Sequence, residues 1–272
     1  MTYRLIATDL DDTLLNSNSQ ISSRNKEAIR KAAAMGVIFL IATGRMFKTS
    51  VKYLKDLGFD QDCPLINYHG ALVKKALSEE ILLHRPIDNQ TAVAVAEEAE
   101  VEDCHISVFI EDDLYIREEN EYSRYYQSMS GIDLKPVGKL SNFLNNNGLS
   151  PTKMSIIRWD GTLEAIESRL RLVFDGQLSI LQSRPFFLEI TDHQATKGQT
   201  LCWFAEKEGI SPREVIAFGD GPNDIDMLTF AGLGVAVANA RPEVKAVAKL
   251  VTSSNDLDGV AEVIESYILE RR

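Results

Sequence analysis

Val37-Ile38-Phe39-Leu40-Ile41-Ala42 is an unbroken apolar run of core-strand length, entered through Gly36. A run with no polar alternation suits a strand buried on both faces, which is the habit of parallel sheets flanked by helices. Tyr3 to Asp9 and Val215 to Phe218 read the same way. Helical patterns stand between such runs. Ser22 or Ser23 can cap a helix through Ala34, and Phe47 to Leu57 is a second. Lys197 to Glu208 places Leu201, Phe204 and Ala205 on one face, and Pro222 opens a helix to about Phe230. Gly234 to Ala238, Pro242 to Ala248 and Leu250 to Thr252 continue the rhythm, and Asn255 or Asp256 begins a closing helix. Strand–helix alternation of this kind specifies an α/β chain with a doubly wound, mostly parallel sheet.

The middle of the chain breaks the rhythm. Gln90 to Glu100 reads as an Ala/Glu-rich helix, and Ile106 to Ile110 with Leu114 to Ile116 as a hairpin around Glu111-Asp112-Asp113. Leu140 to Ser150 is polar, and Asn145-Asn146-Asn147-Gly148 reads as a flexible loop. Strands at Met154 to Arg158, Leu178 to Leu181 and Phe186 to Thr191 flank a helix at Leu163 to Phe174. The economical division is a core built from residues 1–84 and 188–272 with an α+β domain, 85–187, inserted in it. A chain of 272 residues with 44% hydrophobic content has enough apolar surface for both.

The formal net charge of −11 argues against nucleic acid or an anionic membrane as a partner, since both want a basic face. No apolar run approaches the roughly 18 residues of a membrane span. Asp9, Asp11 and Asp12 stand where a signal peptide would be apolar. Cys63, Cys104 and Cys202 show no zinc or redox spacing and read as reduced thiols of a cytoplasmic protein. The composition suits a monomer or a dimer equally.

Four polar clusters carry the chemistry, and each follows a strand or opens a helix. Asp9-Leu10-Asp11-Asp12-Thr13 ends the first strand. Two carboxylates about 4 Å apart repel by roughly 4 kcal/mol at an effective dielectric near 20, a cost a divalent cation would remove. Alone, an acidic turn explains the segment as well, but a calcium loop does not, because Leu14 and Gln20 stand where that loop needs Gly and Glu. Thr43-Gly44-Arg45 follows the second strand, where a hydroxyl and a Gly amide can cradle an anion or simply turn the chain. The Gly that a nucleotide P-loop needs before Lys48-Thr49 is missing. Lys197-Gly198 puts a cation at a helix N-terminus, which is electrostatically awkward unless an anion faces it. Gly219-Asp220-Gly221-Pro222-Asn223-Asp224 delivers a glycine-flanked carboxylate straight from a core strand. In open α/β sheets ligands bind at such strand ends, where the strand order reverses.

Together these four clusters resemble the motifs of the haloacid dehalogenase (HAD) superfamily, and the insertion resembles the type IIB cap of its Cof-type sugar phosphatases. Asp12 stands where Gly is commoner, and Asn67-Tyr68-His69-Gly70-Ala71 where relatives often read Asn-Gly-Ala. The resemblance implies a HAD-like core with an α+β cap. It implies a phosphatase for small phosphorylated metabolites, sugar phosphates or similar, working through a phospho-aspartyl intermediate. Asp9 would be the nucleophile and Asp11 the general acid and base. Mg²⁺ would be held by Asp9, the Asp11 carbonyl, Asp220 and Asp224. Thr43, Gly44, Lys197 and Asn223 would bind phosphate, and Arg45, His69 and Arg184 would be specificity contacts. A phosphomutase of the same superfamily is the rival reading. A receiver-type signalling module fits less well, because its phosphorylated Asp stands on a later strand than its acidic pair.

Overall fold

The computed structural model describes residues 2–59 and 62–270. It divides into two compact units, Met1–Leu83 with Thr196–Arg272, and His84–Ala195. Along the chain the first unit begins with β1 (Leu5–Thr8), α1 (Ser23–Ala34), β2 (Ile38–Ala42), α2 (Phe47–Asp56), β3 (Pro64–Asn67), β4 (Leu72–Lys75) and β5 (Ile81–His84). The second contains α3 (Asn89–Val101), β6 (His105–Ile110), β7 (Asp113–Ile116), α4 (Glu121–Ser130), β8 (Leu134–Pro136), α5 (Leu140–Asn147), β9 (Lys153–Ile157), α6 (Leu163–Val173), β10 (Leu178–Arg184) and β11 (Phe187–Asp192). The first unit resumes with α7 (Lys197–Lys207), β12 (Val215–Gly219), α8 (Ile225–Phe230), β13 (Leu233–Ala236), α9 (Pro242–Val247), β14 (Leu250–Val251) and α10 (Gly259–Ile264).

The sheet of the first unit has the order β14-β13-β12-β1-β2-β3-β4-β5. Pairing is parallel from β14 through β3 and turns antiparallel at β3–β4. The chain runs outward from β1 through β2 and β3 on one side, and from β12 through β13 and β14 on the other. The order therefore reverses between β1 and β12, which pair from Leu5↔Val215 to Thr8↔Phe218. That seam is the crevice where an open α/β sheet binds ligands. Leu5 and Ala7 of β1 pack with Leu40, Val215 and Ala217 against Leu201 and Phe204 of α7 and Met227 and Leu228 of α8. Ile6 and Thr8, on the opposite face by the period of two, are equally inaccessible, so β1 is covered on both sides.

Local chemistry sets the helix ends. The Ser22 hydroxyl accepts from the Asn25 amide at 3.0 Å to open α1, and Thr196 does the same for the Gln199 amide to open α7. Gly36, at φ +86°, occupies the left-handed region just beyond α1.

The second unit has its own sheet, β10-β11-β9-β6-β7-β8. Ile106, Val108, Met154, Ile156, Leu188 and Ile190 from its strands pack with residues of α3, α5 and α6. Three details differ from the sequence reading. The boundary drawn between 187 and 188 cuts through the strand read at Phe186 to Thr191: that strand is β11, which pairs antiparallel with β9 and β10 in this sheet, and the chain returns to the first unit at Thr196. The Asn-rich stretch is the helix α5 rather than a loop. Leu140 and Leu144, one turn apart, are fully buried, and the Asn89 amide donates to the Leu144 and Leu149 carbonyls at the helix end. Burial of those leucines and a capped terminus outweigh the poor helix propensity of three asparagines. Finally, α4 and β8 were not anticipated. The helix is opened by a reciprocal cap in which the Asn120 carbonyl oxygen of the side chain accepts from Ser123 N and the Ser123 hydroxyl accepts from Asn120 N.

Candidate active site

Asp9 is the first residue beyond β1, tied to the neighbouring strand by its amide, which donates to the Phe218 carbonyl at 2.9 Å. The chain then makes a wide turn over Leu10–Leu14 in which Asp11 is extended and Asp12 is left-handed at φ 58°. A left-handed residue at that point explains why glycine suits the position. Aspartate is among the few other residues that enter this region readily. The Asn239 side-chain amide holds the turn by donating to the Asp12 carbonyl at 2.7 Å.

Asp220 and Asp224 arrive from the other side of the seam. The Asp224 carboxylate accepts from the Asp220 and Gly221 amides at 3.1 and 3.0 Å, which closes the loop after β12 into a small ring. Gly219 is required there, because a Cβ on it would lie 2.4 Å from the Asp224 Cβ. Thr13 donates its hydroxyl to Asp220 Oδ1 at 2.7 Å, so the two sides of the seam are bonded directly. One oxygen from each of Asp9, Asp220 and Asp224 lies within 4.8 Å of the others.

Lys197, at the first position of α7, does not point to solvent. Its ammonium is buried and donates to Asp9 Oδ1 at 2.5 Å and Asp224 Oδ1 at 2.6 Å. Burial alone would drive its proton off, but Asp224 and Asp9 more than reverse this and hold the lysine charged well above its ordinary range. The carboxylates are not balanced in return. Burial pushes Asp9 well above the usual carboxylate range against the pull of Lys197, and Asp224, Asp220 and Asp11 push it further. Asp220 is pushed up to about 6, by burial first and then by Asp224. Three carboxylates around one ammonium leave an excess of negative charge inside the fold.

Thr43 follows β2, buried, with its hydroxyl accepting from the Arg45 amide at 3.2 Å. Gly44 lies against His69, whose ring a Cβ at that position would meet at 2.3 Å. His69 reaches Asn223 across the site, with the Asn223 amide nitrogen 3.3 Å from His69 Nδ1. It sits in the segment Asn67-Tyr68-His69-Gly70-Ala71. Tyr68 and His69 are both left-handed, at φ 51° and 60°, and Gly70 follows at φ +121° with its carbonyl accepting from the Thr200 hydroxyl. Arg45 forks onto Asp11, Nε to Oδ2 at 2.7 Å and Nη2 to Oδ1 at 2.5 Å.

The first unit thus gathers Asp9, Asp220, Asp224 and Lys197 by direct contact. It joins Asp11 to Arg45, Thr43 to the Arg45 amide, and His69 to Gly44 and Asn223. Arg184 is in the second unit, on β10, with Nη1 3.5 Å from Met129 Sδ. Thr13 and Asn239 belong to the site and were not assigned roles from the sequence. Their partners lie 207 and 227 residues away in the chain, so no local pattern marks them.

The three residues that could hold a metal offer carboxylate oxygens, and two of the three carboxylates are destabilised by burial and by one another. That is the chemistry of a site for a hard divalent cation. The raised Asp220 carboxyl gives this a sign. A carboxyl at about 6 in the folded protein, against roughly 3.9 when unfolded, favours folding below pH ~4. That contribution is lost as pH rises through about 6. At pH 7.5, metal-free Asp220→Asn protein should melt higher than metal-free wild type. A lower melting point would show that the charge excess is not felt.

A family model for haloacid dehalogenase-like hydrolases matches residues 6–264, and the chain belongs to that family. A haloacid dehalogenase-like hydrolase from Bacteroides thetaiotaomicron superposes with a TM-score of 0.87 at 31% identity, covering 97% of this chain and 99% of its own. The subclass IIB sugar phosphatase BT4131 does so with a TM-score of 0.83 at 26% identity, over 97% and 98%. The 5-amino-6-(5-phospho-D-ribitylamino)uracil phosphatase YitU of Bacillus subtilis is 29% identical, over 97% of each chain. No helix among the described residues is long and apolar enough to cross a membrane.

Proposed function

We propose that this protein is a Mg²⁺-dependent phosphatase that hydrolyses small phosphorylated metabolites through a phosphorylated Asp9. The observation that carries the proposal is Lys197, a buried ammonium bonded at once to Asp9 and Asp224 beside a third carboxylate, at the point where strand order reverses. The activities named for YitU and BT4131 support the choice of substrate class. The first unit is read as the catalytic core and the second as the cap of the family.

In the first half-reaction an Asp9 oxygen attacks phosphorus, the bond from phosphorus to the leaving oxygen breaks, and that oxygen takes a proton from Asp11. In the second, Asp11 takes a proton from water as the water attacks phosphorus. The bond to Asp9 then breaks and phosphate is released. One group serves both steps because each leaves it in the protonation state the other needs. Splitting the reaction replaces one hard displacement by two easier ones. Thr43, the Gly44 amide and Lys197 are the donors for the phosphoryl oxygens, where charge accumulates, and Asn223, linked to His69, orients the same network.

Asp9, Asp220, Asp224 and the Asp11 carbonyl would hold Mg²⁺, which supplies the positive charge that keeps Asp9 ionised and receptive to a dianion. Asp9 needs that help, because burial favours its neutral form. Phosphate release from a panel of sugar phosphates and a ribityl phosphate, with Mg²⁺ and with EDTA, tests the reading. Activity should vanish with EDTA and return with Mg²⁺. In a melting experiment without substrate, a hundredfold excess of Mg²⁺ over its dissociation constant should add about 2.7 kcal/mol of stability. Full turnover in EDTA, or phosphate release from none of the panel, would refute the reading.

A further inference from the structure

Arg45 was expected to contact the substrate, yet the structure gives its guanidinium to Asp11. We infer that Arg45 is a positioning residue: its fork fixes the Asp11 carboxylate for proton transfer to the leaving oxygen. The inference rests on the phosphatase reading above and deepens it.

The arrangement has more support than a surface ion pair. Two parallel bonds, 2.7 and 2.5 Å, set the carboxylate plane, where a lysine would supply only a point charge. Each carboxylate oxygen has two lone-pair directions, so a fork using one on each leaves one on each to carry a proton. Arg45 is itself held at both ends. Its carbonyl accepts from the Asn67 side chain at 3.1 Å and from the Tyr68 amide at 3.2 Å. Its Nη1 lies 3.4 Å from the Tyr53 hydroxyl, and its guanidinium stands 5.4 Å from the Tyr53 ring centroid. Asn67 also donates to Ser50 Oγ at 2.8 Å, which joins the start of α2 to the end of β3. Asp11 sits in a turn with 48% of its side chain exposed, so without Arg45 little in its surroundings fixes it.

A positioning role and a phosphate-binding role make different predictions for leaving groups. An alkyl phosphate expels a poor leaving group that must be protonated, whereas p-nitrophenyl phosphate expels a stable phenolate that need not be. The ratio kcat/KM covers only the steps through departure of the leaving group, so dephosphorylation of Asp9, common to both substrates, does not enter it. For Arg45→Met, kcat/KM for an alkyl phosphate should fall about 100-fold, the lower range for losing general acid catalysis. For p-nitrophenyl phosphate it should stay within about threefold of wild type, which also shows that the variant folds. Arg45→Lys should fall between Arg45→Met and wild type on the alkyl phosphate, and Asp11→Asn should lose more on the alkyl phosphate than on p-nitrophenyl phosphate. Adding Arg45→Met to Asp11→Asn should change nothing further, because the two side chains act as one unit. Equal losses on both substrates would make Arg45 a phosphate ligand, and no loss on either would make the fork idle; both results overturn the inference. If wild type hydrolysed neither substrate, the phosphatase reading itself would fail, and visibly so.

Discussion

Asp9→Asn protein will be folded and inactive. Its kcat/KM should drop by on the order of 10⁴-fold or more on every phosphate ester that wild type accepts, because a carboxamide cannot form the covalent intermediate. The loss should be independent of the leaving group, unlike that of Asp11→Asn. Stability should hold. The Asp9 amide keeps its bond to the Phe218 carbonyl, Lys197 keeps Asp224, and a neutral side chain replaces a carboxylate that burial already disfavours. Melting within a few degrees of wild type, alongside abolished turnover, is the expected pair of results. Retained turnover would remove Asp9 as nucleophile.

Lys197→Met will lose stability as well as activity. The ammonium is the only cation bonded directly to Asp9 and Asp224 among the described hydrogen bonds, and it is shielded from water. Removing one partner of a buried ion pair costs about 3–5 kcal/mol, which for a domain of 150–250 residues lowers the melting point by on the order of 10 °C. The fall should be largest in EDTA, because Mg²⁺ returns positive charge to the same carboxylates. It should shrink at acid pH, where those groups accept protons. Turnover should fall about 100- to 1,000-fold, the usual effect of deleting one donor to a charged transition state. Thermal melts at pH 5 and pH 8, each with and without Mg²⁺, check all of this. A uniform, metal-independent loss would point to packing rather than charge.

The sequence made the acidic strand ends, the doubly wound core and the anomalous lysine legible, because each is local. Lys197 at a helix N-terminus is misplaced by the helix dipole, and that misplacement is the signal of its buried partners. Asp220 could be placed at a sheet edge because four apolar residues lead to it. What stayed hidden was non-local. Nothing near Arg45 announces that Asp11 will receive it, and nothing near Thr13 announces Asp220. The helix α5 was misread because propensity describes asparagine alone, while Leu140 and Leu144 are decided by what covers them. The domain boundary fell inside β11 because alternation does not say where a sheet's last strand ends its domain, and only the partners β9 and β10 do.

The central seam also governs how the chain can be made. β1 leaves the ribosome well before one of its two neighbours, β12, which begins at Val215. The smaller sheet draws all its strands from residues 105–192 and can close while β12 is still unsynthesised. Until then β1 carries one open edge and a half-built apolar face, the condition under which nascent chains associate wrongly. Asp9 is thus translated well before Lys197, Asp220 and Asp224, and the cluster they form is assembled only when those residues arrive.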